Sequence, residues 1–133
     1  IYKFFLTFFF FIFQYHSFDN VNNREVVTPV LIVVDDKSPE IEAAFNRTAI
    51  ESEEVGEGKK INVYPLFTSL FLNAIDNSSK LKEIRYSING SKMTLYKKAI
   101  LLEKPGNYSV IVEAEDNLGN ISKEKIIFIV NSN

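Results

Sequence analysis

Four aspartates come closest to forming a ligand set in this sequence. Asp35 and Asp36 follow a short apolar run, and Asp76 and Asp116 each end a predicted strand in an Asp-Asn turn. Loop carboxylates, Asn side chains and backbone carbonyls are the ligands that calcium prefers. The same residue types also make tight turns, because their side chains hydrogen-bond to nearby backbone. Since the sequence has no EF-hand-type loop, we expect the turn role, keep calcium as the alternative and predict no other cofactor.

The side chains that most enzymes use for catalysis are scarce. The chain contains no cysteine, and its only histidine, His16, lies in the N-terminal segment. Glu51, Glu53, Glu54 and Glu57 lie among glycines and lysines, which is typical of a solvated loop. Paired catalytic carboxylates need a cleft that separates their pKa values, and no glycine-rich phosphate loop is present. We therefore predict that the protein is not an enzyme.

The charge balance argues against a nucleic-acid partner. The chain carries 15 basic and 17 acidic side chains, whereas nucleic-acid-binding domains concentrate positive charge on one face. Lys92, Lys97 and Lys98 could form a small basic patch, but exposed lysines near an edge strand more often prevent edge-to-edge aggregation.

The first 18 residues are typical of an export signal. A single charge, Lys3, precedes an apolar run from Phe4 to Phe13. This run is shorter than the roughly 20 residues that a helix needs to cross a bilayer, but it suits the apolar core of a secretory signal. A phenylalanine-rich core segment is the structural alternative. We predict a signal peptide or hydrophobic leader over 1–18, an Asn-rich linker over 19–29, and an exported domain over 30–131. Membrane contact is expected only through an uncleaved leader.

The apolar pattern beyond residue 30 predicts strands. In one segment Thr68, Leu70, Leu72 and Ala74 alternate with a second set at Phe67, Phe71 and Ile75. Near the C-terminus the inward face is predicted to hold Tyr108, Val110, Val112 and Ala114. A two-residue period with frequent turns predicts about seven short strands in two packed antiparallel sheets, an immunoglobulin-like β-sandwich.

Two local signals refine this prediction. Asn89-Gly90 is typical of a type I′ hairpin turn, which requires positive φ at both central residues. Tyr108 precedes the predicted buried Val110 by two residues, as in the tyrosine corner of immunoglobulin folds, although an ordinary buried tyrosine fits equally well. The polar stretch Asn46–Lys60 is predicted to be a long exposed loop, with a helical turn over 48–54 as the alternative.

Two motifs carry a family resemblance over about residues 30–130. They are the stretch from Asn73 to Gly90 and the stretch from Tyr96 to Asn120, and the segment from Asp35 to Pro39 is similar to the start of such a repeat. Together they resemble the bacterial Ig-like repeats called the OmpL-type β-barrel domain, known from spirochaetal and other bacterial surface proteins. The matching residues are Ala74, Asp76, Ser79, Leu81, Ile84, Tyr86, Ser87, Gly90, Gly106, Tyr108, Asp116, Gly119 and Asn120.

One departure from the family pattern concerns a turn. The family usually has glycine at the position of Lys80, and lysine disfavours positive φ, so we expect a different local turn here.

The resemblance implies a structural or adhesive role at the cell surface, at the outer membrane or in the periplasm, with a protein or glycan as partner. Contacts are expected from the loops Asn46–Lys60 and Asp76–Lys80. A second hypothesis is a carbohydrate-binding or accessory module of a secreted enzyme, which predicts a row of exposed aromatics drawn from Tyr64, Tyr86 and Tyr96. A third is an outer-membrane β-barrel, which the short strands and the charges opposite the apolar faces disfavour.

Overall fold

The computed structural model describes residues 9–15, 28–54 and 56–132, which form strands, turns and loops and contain no helix. The chain divides into two compact units, Ile1–Lys37 and Ser38–Asn133. None of the described residues belongs to a helix long and apolar enough to cross a membrane.

The first unit contains a two-stranded antiparallel sheet. Strand β1 (Phe9–Tyr15) pairs with β2 (Thr28–Val34), so that Phe9 lies opposite Val34 and Tyr15 opposite Thr28. The remainder of the predicted leader, residues 1–8 and 16–18, lies outside the described residues, as does most of the predicted linker. The predictions of a signal peptide and of export stay predictions.

The second unit contains nine strands within its described residues. They are β3 (Glu40–Phe45), β4 (Glu51–Glu54), β5 (Lys60–Pro65), β6 (Thr68–Ile75), β7 (Leu81–Ile88), β8 (Thr94–Leu95), β9 (Ile100–Leu102), β10 (Gly106–Asp116) and β11 (Ile121–Asn131). One sheet has the order β3-β6-β9, and the other has the order β4-β5-β11-β10-β7-β8. All pairs are antiparallel except β5 with β11, which is parallel. The prediction of an all-β chain is confirmed, with nine strands in this unit instead of about seven.

Both sheets contribute to one hydrophobic core, which is the arrangement of a β-sandwich. The three-stranded sheet supplies Leu70, Leu72 and Ala74 from β6, and the six-stranded sheet supplies a matching row from β10. These side chains alternate with exposed ones because successive residues of a strand point to opposite faces. The predicted alternation is confirmed, since Thr68, Leu70, Leu72 and Ala74 are buried and Phe67, Phe71 and Ile75 are exposed.

The segment Asn46–Lys60 differs from its prediction as a long loop. Glu51–Glu54 forms β4 and pairs with β5, with Glu51 opposite Val63 and Glu54 opposite Lys60. Neither a continuous loop nor a helical turn over 48–54 is therefore correct. All four side chains of β4 are exposed. A strand with no buried face lacks the alternation by which strands are recognised in a sequence, and β4 exists because β5 offers an edge to it.

The predicted turn at Asn89-Gly90 is confirmed. Asn89 has φ of 49° and Gly90 has φ of 77°. The backbone N–H of Ser91 donates to the carbonyl of Ile88 at 3.0 Å, which closes the turn between β7 and β8.

Tyr108 has the geometry of a tyrosine corner. Its hydroxyl donates to the backbone carbonyl of Lys104 at 2.8 Å, four residues upstream. Its ring stacks on Phe128 with centroids 5.2 Å apart and an interplanar angle of 5°. The hydrogen bond ties the connection between β9 and β10 to the start of β10, two residues before the fully buried Val110.

The substitution Tyr108→Phe should destabilise the protein by about 1 kcal/mol, because it removes the hydrogen bond and retains the stacked ring. Chemical denaturation followed by circular dichroism measures this. Tyr86→Phe is the matched control, since Tyr86 is also half-buried and packs on another ring, Tyr96. Equal losses in the two variants would contradict a special role for the Tyr108 hydroxyl.

Candidate functional site: a pair of aspartate turns

Two connections meet at one end of the sandwich. The turn Asp76–Lys80 joins β6 to β7, and the turn Asp116–Asn120 joins β10 to β11. They are neighbours because β7 and β10 are paired and Asp116 lies opposite Leu81. Each turn begins with an aspartate at the end of a strand, Asp76 after β6 of the three-stranded sheet and Asp116 in β10 of the six-stranded sheet, so the two carboxylates enter the same region from opposite sheets.

The Asp76 carboxylate organises the first turn. Its Oδ1 accepts hydrogen bonds from the backbone N–H groups of Ser78 at 2.7 Å and Ser79 at 3.1 Å. Its Oδ2 accepts the Ser79 hydroxyl at 3.0 Å. The side chain thereby takes the place of a backbone acceptor and fixes the chain reversal, as Asp commonly does in turns.

The Asp116 carboxylate organises the second turn from a fully buried position. Its Oδ1 accepts the backbone N–H groups of Leu118 at 2.8 Å and Asn120 at 2.9 Å, and its Oδ2 accepts the Asn120 side-chain amide at 2.8 Å. Burial by itself would raise the pKa of Asp116. The hydrogen bonds from Asn120, Ser79 and Leu118 outweigh it and lower the pKa to about 2, from an ordinary value of 3.8. The group is therefore a buried, charged carboxylate held by donors.

The two turns are joined to each other. The Asn117 side-chain amide donates to the backbone carbonyls of Ser79 at 2.9 Å and Lys80 at 3.1 Å. The Asn117 backbone N–H donates to Lys80 as well, at 3.1 Å. A carboxylate oxygen of Asp76 lies within 4.8 Å of one of Asp116. Ser79, whose hydroxyl binds Asp76, also contributes to the low pKa of Asp116. We call these two connected loops the aspartate turn pair.

Lys80 overturns the expectation of a different turn. Its φ is 67°, which is the left-handed conformation that glycine would adopt freely. The hydrogen bonds from Asn117 to the Lys80 carbonyl hold this conformation. The chain therefore has the positive φ that the family's glycine would favour, although the residue is lysine.

An ion-pair cluster borders the aspartate turn pair. Lys82 Nζ lies 2.8 Å from Glu115 Oε1, and Arg85 Nη2 lies 3.5 Å from Glu115 Oε2. The hydrogen bond with Glu115 is the largest cause that raises the pKa of Lys82, and the negative charge of Glu115 is the second. Since the Lys82 side chain is about half exposed, such a pair contributes little to stability.

Two of the four predicted metal ligands belong to each unit. Asp76 and Asp116 lie together in the second unit. Asp35 and Asp36 belong to the first unit, where Asp35 Oδ1 accepts the backbone N–H of Lys37 at 3.0 Å and Asp36 is exposed.

The oxygens of the aspartate turn pair already have donors. Each carboxylate oxygen has two lone pairs, and the Oδ1 atoms of both Asp76 and Asp116 accept two backbone N–H groups. Calcium needs about six to eight oxygen ligands. The hydrogen bonds fit the turn role, and calcium binding stays a prediction.

The roles of Ser79, Asn117 and Asn120 in the site were not predicted from the sequence. Their types gave a signal, since Asn and Ser after Asp are common in turns. Asn120 binds Asp116 within its own loop, whereas Asn117 binds the Ser79 carbonyl 38 residues away along the chain, and no local pattern identifies that contact.

Comparison with known protein families found none that matches this chain. Comparison with curated proteins also found no match.

The substitution Asp116→Asn should destabilise the protein by about 2 kcal/mol at neutral pH, because an amide loses the charge and brings a donor against Asn120. A folded-state pKa below the ordinary value means that the charged form stabilises the fold. This contribution is present above about pH 4 and is lost as the pH falls through about 2.

Urea denaturation from about pH 2 to pH 7 tests this prediction. The difference in unfolding free energy between wild type and Asp116→Asn should shrink as the pH falls. Asp36→Asn, at an exposed aspartate, should match wild type throughout. A difference that does not depend on pH would contradict a charged Asp116 in the folded state.

Millimolar calcium should shift the melting temperature of the full chain by less than about 1 °C relative to chelator, because the inner oxygens are engaged in turns. Thermal melts followed by circular dichroism, with magnesium as the control cation, measure this. A calcium-specific rise of several degrees that Asp116→Asn abolishes would instead identify Asp116 as a ligand.

Proposed function

We propose that this chain is a non-catalytic, immunoglobulin-like structural or adhesive module of an exported bacterial protein that acts at the cell surface or in the periplasm. The observation that carries the proposal is the strand order of the second unit. In immunoglobulin-like sandwiches the first, second and fifth strands, A, B and E, share one sheet, and C, F and G share the other. Strands β3, β6 and β9 fit the A, B and E positions, and β7, β10 and β11 fit C, F and G.

Further features support this assignment. Strand β8 beside β7 corresponds to the additional C′ strand of variable-type domains. The tyrosine corner at Tyr108 is at the start of the strand that corresponds to F, where immunoglobulin domains have it. The fully buried Val110 occupies the position of the second cysteine of antibody domains, so apolar packing takes the place of a disulfide there.

The aspartate turn pair is the favoured recognition end. It consists of the loops that correspond to B–C and F–G, which form part of the binding end in variable domains. Hydrogen bonds fix its backbone, while Asn77, Asn117 and Leu118 are exposed at its surface. An exposed apolar side chain between amides, on loops that need little ordering, suits contact with a protein or glycan.

The carbohydrate-binding alternative receives less support from its predicted residues. Tyr64 is buried in the core and stacks on Phe45 with ring centroids 4.0 Å apart. Tyr86 and Tyr96 are half-buried and pack edge to face against each other. The Tyr96 hydroxyl accepts the backbone N–H of Leu72 at 3.2 Å. These three tyrosines therefore offer no flat row of exposed rings.

Binding of the full chain to an array of immobilised extracellular-matrix proteins and oligosaccharides tests the proposal. We expect saturable binding to a matrix protein, reduced about tenfold by Leu118→Glu, because a charge replaces the apolar contact of the loop. Leu95→Glu is the matched control, since Leu95 is similarly exposed on β8 and outside the loop end. Binding that both substitutions reduce equally, or no binding to any immobilised ligand, would count against an adhesive role of these loops.

A further inference from the structure

The outer face of the three-stranded sheet exposes several large apolar side chains, with the polar Ser69 and Asn73 between them on β6. Phe67, Phe71 and Ile75 follow one another at intervals of four residues, and Leu101 lies on the neighbouring strand opposite Ser69. These four side chains are between 43% and 56% exposed. Several large apolar side chains exposed on one face commonly mark an interaction surface. We call this surface the outer apolar face.

Phe67 is held in a conformation that its side chain disfavours. Its φ is 62°, a left-handed value that glycine or asparagine adopts at lower cost and that is rare for bulky residues. The Phe67 N–H donates to the Leu102 carbonyl at 2.8 Å, and Thr68 Oγ1 donates to the Pro65 carbonyl at 2.6 Å. Backbone strain of this kind concentrates at functional positions. The fold needs a residue with positive φ here, but it does not need an exposed phenyl ring.

A shallow groove lies farther along the same face. It has a volume of about 430 Å³ and is lined by Glu42, Ala43, Ala44, Phe71 and Asn73. The small side chain of Ala44 leaves space beside Phe71, because these two residues are directly opposite each other in the sheet. The face therefore has a protruding ring at one end and a partly apolar depression several residues away.

The two ends of this face carry opposite charges. Glu42 lies opposite Asn73 at the groove end. Arg47 lies at the other end, where its Nη1 donates to the carbonyl of Leu66, the residue before Phe67. The protruding ring is thus accompanied by a positive charge, and the groove is accompanied by a negative one.

We propose that the outer apolar face binds a second copy of this chain in a symmetric, antiparallel dimer. A two-fold axis that crosses β6 between Ser69 and Phe71 brings Phe67 of each copy over the groove of the other. The same rotation brings Arg47 of each copy toward Glu42 of the other. Such an isologous contact requires one surface to complement itself, and the ring, the groove and the two charges do so in one register.

The test is the oligomeric state of the full chain by sedimentation equilibrium from about 1 to 100 µM. Wild type should dimerise, and Phe67→Asn should raise the dimer dissociation constant at least about tenfold, as loss of a central aromatic contact commonly does. Because asparagine tolerates positive φ, the melting temperature of the Phe67→Asn monomer should equal or exceed that of wild type at a concentration where wild type is also monomeric, since dimerisation itself raises the melting temperature. This combination separates lost association from lost folding.

A charge exchange tests the register. Arg47→Glu and Glu42→Arg should each weaken the dimer, and the double variant should restore it, since the two charges approach each other only in the antiparallel arrangement. Ile127→Ser, at a similarly exposed apolar residue of β11, is the control and should leave association unchanged. A wild-type chain that stays monomeric over the whole range, or a dimer that Phe67→Asn and the charge variants leave intact, would overturn the proposal.

Discussion

The packing of the two sheets around one hydrophobic core, with a row of side chains from β6 and another from β10, is the interaction on which the second unit depends. Leu70, Leu72 and Ala74 belong to one sheet, and Val110, Val112 and Ala114 belong to the other. In both rows two larger side chains are followed by alanine toward the same end of the sandwich. With no cysteine in the chain, a disulfide cannot join the sheets, and burial of these apolar side chains has to hold them together.

The chemistry of the aspartate turn pair follows from this packing. Asp116 continues the inward face of β10 two residues beyond Ala114, so the strand geometry carries a carboxylate into the end of the core. A buried charge is tolerated only when donors surround it, and the loop from Asn117 to Asn120 supplies them. The same requirement explains why the neighbouring loop contributes Ser79. The end of the sandwich is therefore ordered by a polar network in which each loop depends on the other.

The alternation of side chains along β6 also determines which residues lie on its outer face. Because side chains alternate along a strand, the residues between the buried ones must lie on the outer face. Packing in the core does not restrict which residue types occur there. Phe67 and Phe71 nevertheless are large and apolar. The six-stranded sheet offers a contrast at the corresponding surface, where Glu113 pairs with Lys123 at 2.9 Å. One outer face thus has ion pairs between its strands, and the other has the two exposed phenyl rings.

The sequence by itself determined the all-β class, the inward rows of β6 and β10, the turn at Asn89-Gly90 and the residues that begin both aspartate turns. These features depend on a two-residue period and on local turn chemistry, which neighbouring residues reveal. Only the tertiary structure decided that Glu51–Glu54 is a strand, because a fully exposed strand has no period and exists through its pairing with β5. It also decided that Lys80 has positive φ, since Asn117, distant in sequence, binds its carbonyl. The low pKa of Asp116 and the nearness of Asp76 arise in the same way, because they depend on which strands are paired and not on the residues beside them in the chain.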